Sequence, residues 1–146
     1  LFQDKKQLYI SFKELFSIKA GKAIKEYNIN HTVSFHKSIN ASKEFQSLYQ
    51  KIDTSKGSPT VFHISSKLNA GARAELLKDF RNTSNAIITN ARCLTEGVDV
   101  PAIDCVLFAD QKQSVVDIVQ ASGRALRQYT DKNTGVKKDF GYIIIP

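Results

Sequence analysis

The sequence lacks methionine and tryptophan altogether, and its 146 residues include only two cysteines, three prolines and seven glycines. So little glycine and proline excludes a collagen-like or linker sequence. The cysteines, Cys93 and Cys105, are too few for a disulfide framework, and no cysteine–histidine cluster has zinc-binding spacing. We therefore expect packing roles for both cysteines, no metal site within the chain, and a reduced, cytoplasmic setting.

The chain also lacks any apolar run long enough to span a bilayer, and no basic segment followed by an apolar stretch marks a secretory signal. We therefore expect no contact with membranes. The start at Leu1 and the absence of methionine favour a fragment of a longer protein. Hydrophobic residues make up 42% of the chain and charged residues 24%, which excludes a disordered tail and suits one domain with its own core.

Positive charge is in excess but unevenly distributed. The formal net charge is +7, and residues 1–56 carry ten basic and five acidic residues. Residues 57–110 carry five basic and six acidic residues, and residues 111–146 carry six and three. A basic excess favours contact with a polyanion, whereas a solvated lysine-rich surface has the same composition. Charge alone favours the second interpretation.

Short apolar runs alternate with amphipathic stretches along the chain. Alternating strands and helices, with near-continuous apolar strands, predict an α/β fold whose mainly parallel sheet of about five or six strands is covered on both faces. The predicted helices span 1–28 (interrupted near Gly21), 38–52, 69–80 and 114–128, the predicted strands span 31–36, 58–64, 85–89, 105–109 and 140–145, and a polar surface loop spans 129–139.

In an open parallel sheet, ligands bind beyond the carboxyl ends of the strands. This rule directs attention to the loops at 36–38, 65–67, 89–92 and 110–114. These loops are rich in serine, asparagine, threonine and lysine, which bond phosphate oxygens. Loops of this kind are polar in any case because they face water, so composition alone does not favour a ligand. The three histidines lack metal spacing and are interpreted as strand or loop residues.

Residues 114–128 carry the most specific pattern. Their apolar residues form one stripe, and Gln120, Arg124 and Arg127 fall on the opposite side of the predicted helix. Two neighbouring guanidinium groups can clamp a phosphate chain, because each planar fork binds two oxygens. Gly123 costs roughly 1 kcal/mol in mid-helix relative to alanine, which hints at close approach by another group. The same residues also describe an ordinary solvated helix face, so both interpretations stay open.

A second signal lies between the third and fourth predicted strands, at residues 94–104. Gly97 permits an unusual backbone angle, and Pro101 stiffens the return of the chain. The carboxylate of Asp99 can accept hydrogen bonds from a sugar hydroxyl, or it can cap a nearby helix. These residues alone do not separate the two roles.

Together, the two segments resemble the second RecA-like domain of superfamily-two helicases and translocases. Residues 95–101, Thr-Glu-Gly-Val-Asp-Val-Pro, are similar to motif V, and residues 120–127 match the Gln-x-x-Gly-Arg-x-x-Arg pattern of motif VI. Residues 31–36 resemble motif IV, and residues 63–80 resemble the strand and helix after it. The form is similar to the branch of restriction-enzyme motor subunits and excision-repair helicases, because the DEAD-box branch usually has histidine at Gln120. The resemblance implies a RecA-like three-layer αβα sandwich over 29–146, with 1–28 as a helical connector or edge helix.

The resemblance also implies roles for individual residues. Arg124 and Arg127 would be arginine fingers that reach the γ-phosphate of ATP, and such fingers are worth about 10³–10⁵ in rate. Gln120 would lie near that phosphate or the attacking water. Asp99 would contact the ribose, and Gly97 would let the backbone approach. The nucleic-acid track would involve residues from the loops beyond the strands: His36, Lys37, Ser65, Thr89, Asn90 and Arg92.

The resemblance further implies half of a composite site. The chain has no Gly-x-x-x-x-Gly-Lys-Ser/Thr loop for phosphates and Mg²⁺, and no Asp-Glu pair placed after a strand. Both would belong to a preceding RecA-like ATPase lobe, so we expect ATP and Mg²⁺ to bind between two lobes and the isolated chain to be inactive. DNA is the expected nucleic acid, with RNA possible in its place. The competing hypotheses are a nucleic-acid-binding α/β module without a motor, and a nucleotide-binding or protein-interaction domain with a coincidental motif.

Overall fold

A computed structural model describes residues 12–52, 58–91, 103–110 and 140–145, together with residues 120, 123, 130, 135 and 137. The five strands of this part of the chain form one sheet in the order β2-β3-β1-β4-β5, and every neighbouring pair is parallel. The helices are α1 (Phe12–Glu26), α2 (Ile39–Ile52) and α3 (Ala70–Asn82), and the strands are β1 (His31–Phe35), β2 (Thr60–Ile64), β3 (Ala86–Asn90), β4 (Cys105–Phe108) and β5 (Tyr142–Ile144).

Helices cover both faces of the sheet, which makes a three-layer α/β sandwich. On one face, Val33, Ile88 and other buried strand residues pack around Phe80 of α3. On the other face, Ile87 and Leu107 pack against residues of α1 and α2. Successive strand residues point to opposite faces, so each strand is apolar along nearly its whole length. The predicted fold class is confirmed, and the predicted strands lie within one or two residues of the observed ones.

The first helix belongs to this core. Phe16, Ala20 and Ile24 of α1 are buried on the face that α2 also covers. Cys105 is buried there as well, as its predicted packing role requires. The division of the chain into a connector over 1–28 and a domain over 29–146 stays a prediction.

The predicted interruption of the first helix near Gly21 was wrong, since α1 continues through that residue. The glycine instead serves packing between α1 and α2. A Cβ atom at Gly21 would lie 3.0 Å from Tyr49 Oη and 3.6 and 3.7 Å from two carbons of its ring. The missing side chain therefore lets the buried Tyr49 pack against the first helix. The stability gained from this packing offsets the poor helix propensity of glycine.

Hydrogen bonds at the amino ends of the strands fix α3 and β4 to the central strand. Asp104 Oδ2 accepts the backbone N–H of His31 at 2.9 Å, just before β4 begins. His31 Nε2 lies 3.1 Å from the carbonyl oxygen of Phe80 and 3.0 Å from that of Thr83. Because carbonyl oxygens only accept, this ring nitrogen carries the proton and donates to the end of α3.

Parts of the later predicted elements are described. Gln120 and Gly123 are helical, as predicted for 114–128. The predicted polar loop contains an antiparallel bridge between Thr130 and Lys137. Gly135 in that loop has φ of +68°, a left-handed backbone angle that glycine adopts readily. Among the described residues, no helix is long and apolar enough to cross a membrane.

We predict that Gly21→Ala and Tyr49→Phe are coupled. In the native background, the methyl group of Gly21→Ala contacts the Tyr49 hydroxyl too closely. This steric cost cancels much of the stability that the higher helix propensity of alanine would add. After Tyr49→Phe the nearest atoms lie at ordinary contact distance, so Gly21→Ala should stabilise the chain by up to about 1 kcal/mol. Urea unfolding of the two single variants and the double variant measures the coupling. Equal effects of Gly21→Ala in both backgrounds would contradict this account of the helix contact.

Candidate functional site at the carboxyl edge of the sheet

Parallel pairing brings the loops after β1, β3 and β4 to one edge of the sheet. The backbone N–H of His36 donates to the carbonyl oxygen of Asn90 at 2.9 Å, just beyond β1 and at the end of β3. The N–H of Ala109 donates to Phe35 at 3.1 Å, beyond β4. The ends of β1, β3 and β4 are therefore neighbours in space, and with them the predicted track residues His36 and Asn90.

A crevice is expected between β1 and β4, because the chain leaves these adjacent strands in opposite directions. After β1 it runs to β2, and after β4 it runs to β5 on the other side. Such a switch point is where open α/β sheets bind ligands. Asp110 Oδ2 accepts the backbone N–H of Lys37 at 2.8 Å, which joins the two loops there. The Lys37 side chain is exposed at this point.

His36, by contrast, faces inward. The side chain is only 3% exposed, and its Nε2 is hydrogen-bonded to Ser34 Oγ at 2.9 Å. Its ring lies 5.0 Å from that of Phe45. His36 and Asp110 also line a small open pocket whose other described walls are apolar: Phe16, Ala41, Phe45, Leu48 and Ala109. Of the two predicted residues in this loop, Lys37 alone has an exposed side chain.

A row of polar side chains crosses three strands beneath α2. Parallel register pairs His63 of β2 with Thr89 of β3, and Thr89 with Ser34 of β1. We call these three residues the polar row. His63 Nδ1 lies 3.0 Å from Ser42 Oγ of α2 and 3.1 Å from Thr89 Oγ1. Thr89 and Ser34 are fully buried, so the predicted track residue Thr89 makes its side-chain contact within the domain.

Asn90 is pinned on the opposite face of the sheet. Its side-chain Nδ2 donates to the carbonyl oxygen of Ser34 at 2.9 Å. Its Oδ1 is buried and has no hydrogen-bond partner among the described residues. Orphaned groups of this kind are rare in native interiors and need an explanation. Ser65, the predicted track residue after β2, is also buried, and its carbonyl oxygen accepts the N–H of Leu68 at 3.2 Å.

Sequence reasoning missed His63 and Ser42. A signal was present, because alternation along β2 puts His63 on the same face as the buried Val61. Polar residues near the ends of three apolar strands, at matching positions, would have predicted a shared buried contact. The partner on α2 could not be found this way, since it depends on how that helix packs.

The remaining predicted site residues are only partly described. Gln120 is helical and exposed. No group of three or more histidine, cysteine or acidic side chains within the described part of the chain could hold a metal ion. The other predicted residues lie outside the described ranges: Arg92, Cys93, Gly97, Asp99, Arg124 and Arg127.

The electrostatic surroundings of His63 disfavour its charged form. Burial of the ring, and to a lesser extent the positive charge of Lys43, lowers the pKa of His63 below its ordinary value of 6.5. Its Nε2 is buried without a hydrogen-bond partner among the described residues. The neutral imidazole is therefore the form that the fold accommodates.

We predict an acid-labile component of stability from His63. Because its pKa is lower in the folded protein, the unfolded chain binds a proton more readily between the folded-state pKa and about 6.5. This stability is fully present above about pH 6.5 and is lost as the pH falls through the folded-state pKa. Asparagine does not titrate in this range. The free energy of unfolding, measured with urea, should therefore fall less between about pH 7.5 and about pH 5.5 in His63→Asn than in the native protein. Equal losses in the two proteins would contradict the assignment.

Known proteins are similar to this chain in sequence or in fold. The protein irc3 of Schizosaccharomyces pombe, whose name describes a mitochondrial ATP-dependent helicase, is 33% identical over 72 residues, which cover 49% of this chain and 12% of irc3. The ATP-dependent Type ISP restriction-modification enzyme LlaBIII, solved bound to DNA, is 26% identical with a TM-score of 0.69, and the match covers 97% of this chain and 10% of that enzyme. Mss116p DEAD-box helicase domain 2, solved bound to an RNA duplex, has the same fold at 17% identity, with a TM-score of 0.67 over 90% of this chain and 48% of that one.

The match to a helicase family covers most of the chain. The helicase conserved C-terminal domain matches residues 15–128. The chain spans about a quarter or less of the curated relatives it matches. The five-stranded parallel sheet with helices on both faces agrees with that family and with the expected RecA-like architecture. The chain therefore belongs to the helicase conserved C-terminal domain family, and its RecA-like fold is similar to the C-terminal lobes of superfamily-two helicases.

Proposed function

We propose that this domain is the second motor lobe of an ATP-dependent helicase or translocase that acts in the cytoplasm. In this proposal the domain supplies arginine fingers to an ATP site shared with an N-terminal RecA-like lobe of the same parent protein. It also supplies part of a nucleic-acid track. The observation that carries the proposal is the Gln-x-x-Gly-Arg-x-x-Arg sequence at 120–127 in a domain of the helicase family.

The exposed face of the predicted helix supports the arginine fingers. Gln120 and Gly123 are helical and exposed, and a Cβ atom at Gly123 would have no neighbour within 4 Å among the described residues. In the helix predicted over 114–128, Arg124 and Arg127 share the face of Gln120. A face that the described residues leave open suits contact with a second lobe and with a phosphate chain. Arginine suits this contact because its charge is permanent and its fork binds two oxygens.

The chain's own residues supply the finger half of the nucleotide site. The proposed contacts are Arg124 and Arg127 to the γ-phosphate, Gln120 to that phosphate or the attacking water, Asp99 to the ribose, and the backbone at Gly97 beside the nucleotide. The sequence has no phosphate-binding Gly-x-x-x-x-Gly-Lys-Ser/Thr loop. The residues that hold Mg²⁺ and the remaining phosphates are therefore assigned to the N-terminal lobe.

The nucleic-acid track is assigned to the carboxyl edge of the sheet. The exposed Lys37 lies at the switch point. Arg92, which follows β3 by two residues in the sequence, is assigned as a second positive charge of the track. The side chains of His36, Ser65, Thr89 and Asn90 are buried, so their proposed share is to shape the loops whose backbone meets phosphate oxygens. Contact with phosphates rather than bases tolerates any sequence and weakens with salt. DNA is the proposed strand, in line with the DNA-bound LlaBIII, and RNA is the alternative.

The proposed cycle couples the two sites. With ATP between the lobes, the guanidinium groups of Arg124 and Arg127 bind the γ-phosphate and draw the lobes together. Hydrolysis removes this attraction, and the lobes separate. Because each lobe binds the nucleic-acid backbone, every cycle of closing and opening moves the bound lobes along the nucleic acid.

Substitution of the arginines tests the proposal in the intact protein. Arg124→Ala and Arg127→Ala should each lower nucleic-acid-stimulated ATP hydrolysis by about a thousandfold or more, because each removes a charge that stabilises the transition state. Folding and nucleic-acid binding should be retained. Arg81→Ala is the matched control, since Arg81 is an exposed arginine in the last turn of α3, near the amino ends of the strands.

The two competing hypotheses predict different results. A native protein that binds nucleic acid in a salt-dependent way but hydrolyses no ATP would be a binding module without a motor. Turnover that survives both arginine substitutions would contradict the finger assignment and leave the family membership intact.

A further inference from the structure

We infer that His63 is a positioning residue that holds the carboxyl ends of β2 and β3 in one fixed relation. The inference rests on the proposed function, because residues assigned to the nucleic-acid track lie at and beyond these strand ends. His63 itself would not contact the strand. It would act through Ser42 and Thr89, whose hydroxyl groups share its Nδ1.

The contacts of His63 join three separate elements. Its ring stands on β2, and its Nδ1 lies 3.0 Å from a hydroxyl on α2 and 3.1 Å from a hydroxyl on β3. A second contact links α2 to β2, since Gln46 Nε2 of α2 donates to the carbonyl oxygen of Val61 in β2 at 3.1 Å. The edge strand β2 is thus tied both to its neighbour in the sheet and to the helix above it.

The apolar surroundings of the His63 hydrogen bonds favour a single arrangement of β2, β3 and α2. The polar row lies on the sheet face whose neighbouring core residues include Ile87, Leu107 and Phe45. Buried hydroxyl and imidazole groups are costly unless they are hydrogen-bonded. Apolar packing alone tolerates small shifts, whereas buried hydrogen bonds are satisfied in one arrangement. The end of β2 is therefore held to the end of β3 more tightly than apolar side chains would hold it.

The position of the contact along the strands connects it to the loops. His63 stands two residues before Ser65, where the chain leaves β2, and Thr89 is the residue before the end of β3. On the opposite face Asn90 donates to Ser34 at 2.9 Å. The last two residues of β3 are thus fixed from both faces of the sheet, and Arg92 follows the end of the strand by two residues in the sequence.

His31 provides a matched comparison within the same sheet. It is a buried histidine, whereas His63 is half-buried, and like His63 it shares a hydrogen bond with another element, in this case the end of α3. It lies at the amino ends of the strands, away from the proposed track. Loss of the His31 side chain should therefore lower stability and leave the carboxyl ends of β2 and β3 undisturbed. Loss of the His63 side chain should lower stability and also disturb those strand ends.

The test uses ATP hydrolysis by the intact protein, titrated with a single-stranded oligonucleotide. His63→Leu should raise the oligonucleotide concentration for half-maximal stimulation by about fivefold, the change in an equilibrium that loss of one hydrogen bond typically produces. The KM for ATP without oligonucleotide should be unchanged. His63→Asn should restore most of the response, because its side-chain oxygen can take the place of Nδ1. Ser42→Ala removes one partner with little loss of volume and should shift the response in the same direction.

His31→Leu is the control in this titration. It should lower the thermal unfolding midpoint and leave the half-maximal oligonucleotide concentration unchanged. The inference would be overturned if His63→Leu and Ser42→Ala both leave that concentration unchanged, or if His31→Leu raises it equally.

A second measurement separates the inference from the proposed function. If the native protein shows no stimulation by nucleic acid, the proposed function is contradicted, and amide hydrogen exchange decides on the positioning role. Faster exchange confined to residues 62–68 and 86–91 in His63→Leu would support it. An increase spread evenly over the domain would contradict it.

Discussion

The candidate site depends on the parallel pairing of β1 with β3 on one side and β4 on the other. Every residue of β1 is buried, so this strand can pair only within a covered sheet. Because parallel strands end at the same edge, the pairing brings His36, Asn90 and Asp110 together from distant parts of the sequence. The opposite directions in which the chain leaves β1 and β4 make the edge beside Lys37 the place where a ligand crevice is expected. Helices cover these strands on both faces.

The sheet has two ends with different chemistry. At the amino ends, Asp104 and His31 bond to backbone groups and hold the layers together. At the carboxyl ends, His63 of the polar row links β2 to Thr89 of β3 and to Ser42 of α2, and Asn90 retains a buried oxygen without a partner among the described residues. Proteins keep such costly polar groups in the interior where geometry matters for function. This asymmetry agrees with a domain whose activity lies at one edge of a stable scaffold.

Local sequence patterns predicted the architecture better than the site. Apolar runs at regular spacing are enough to predict a parallel sheet covered on both faces, because burial of both faces leaves a direct mark on each strand. The error at Gly21 arose because its role depends on Tyr49 of another helix, which no local pattern contains. The predicted third strand ended at Thr89, which explains why Asn90 was assigned to the loop beyond it. β3 extends through Asn90, so both side chains are held in the sheet by register and packing. Motif resemblance indicated Arg124 and Arg127, which lie outside the described residues.

The central claim is that nucleic acid binds across the carboxyl edge of this sheet. Amide hydrogen exchange of the intact protein, with and without a single-stranded oligonucleotide at saturating concentration, tests it directly. The account predicts slower exchange in the segments at 36–38, 65–68 and 90–92, and unchanged exchange at 28–31 and 83–86 at the opposite edge. Protection at the amino edge, or binding without protection at either edge, would contradict it.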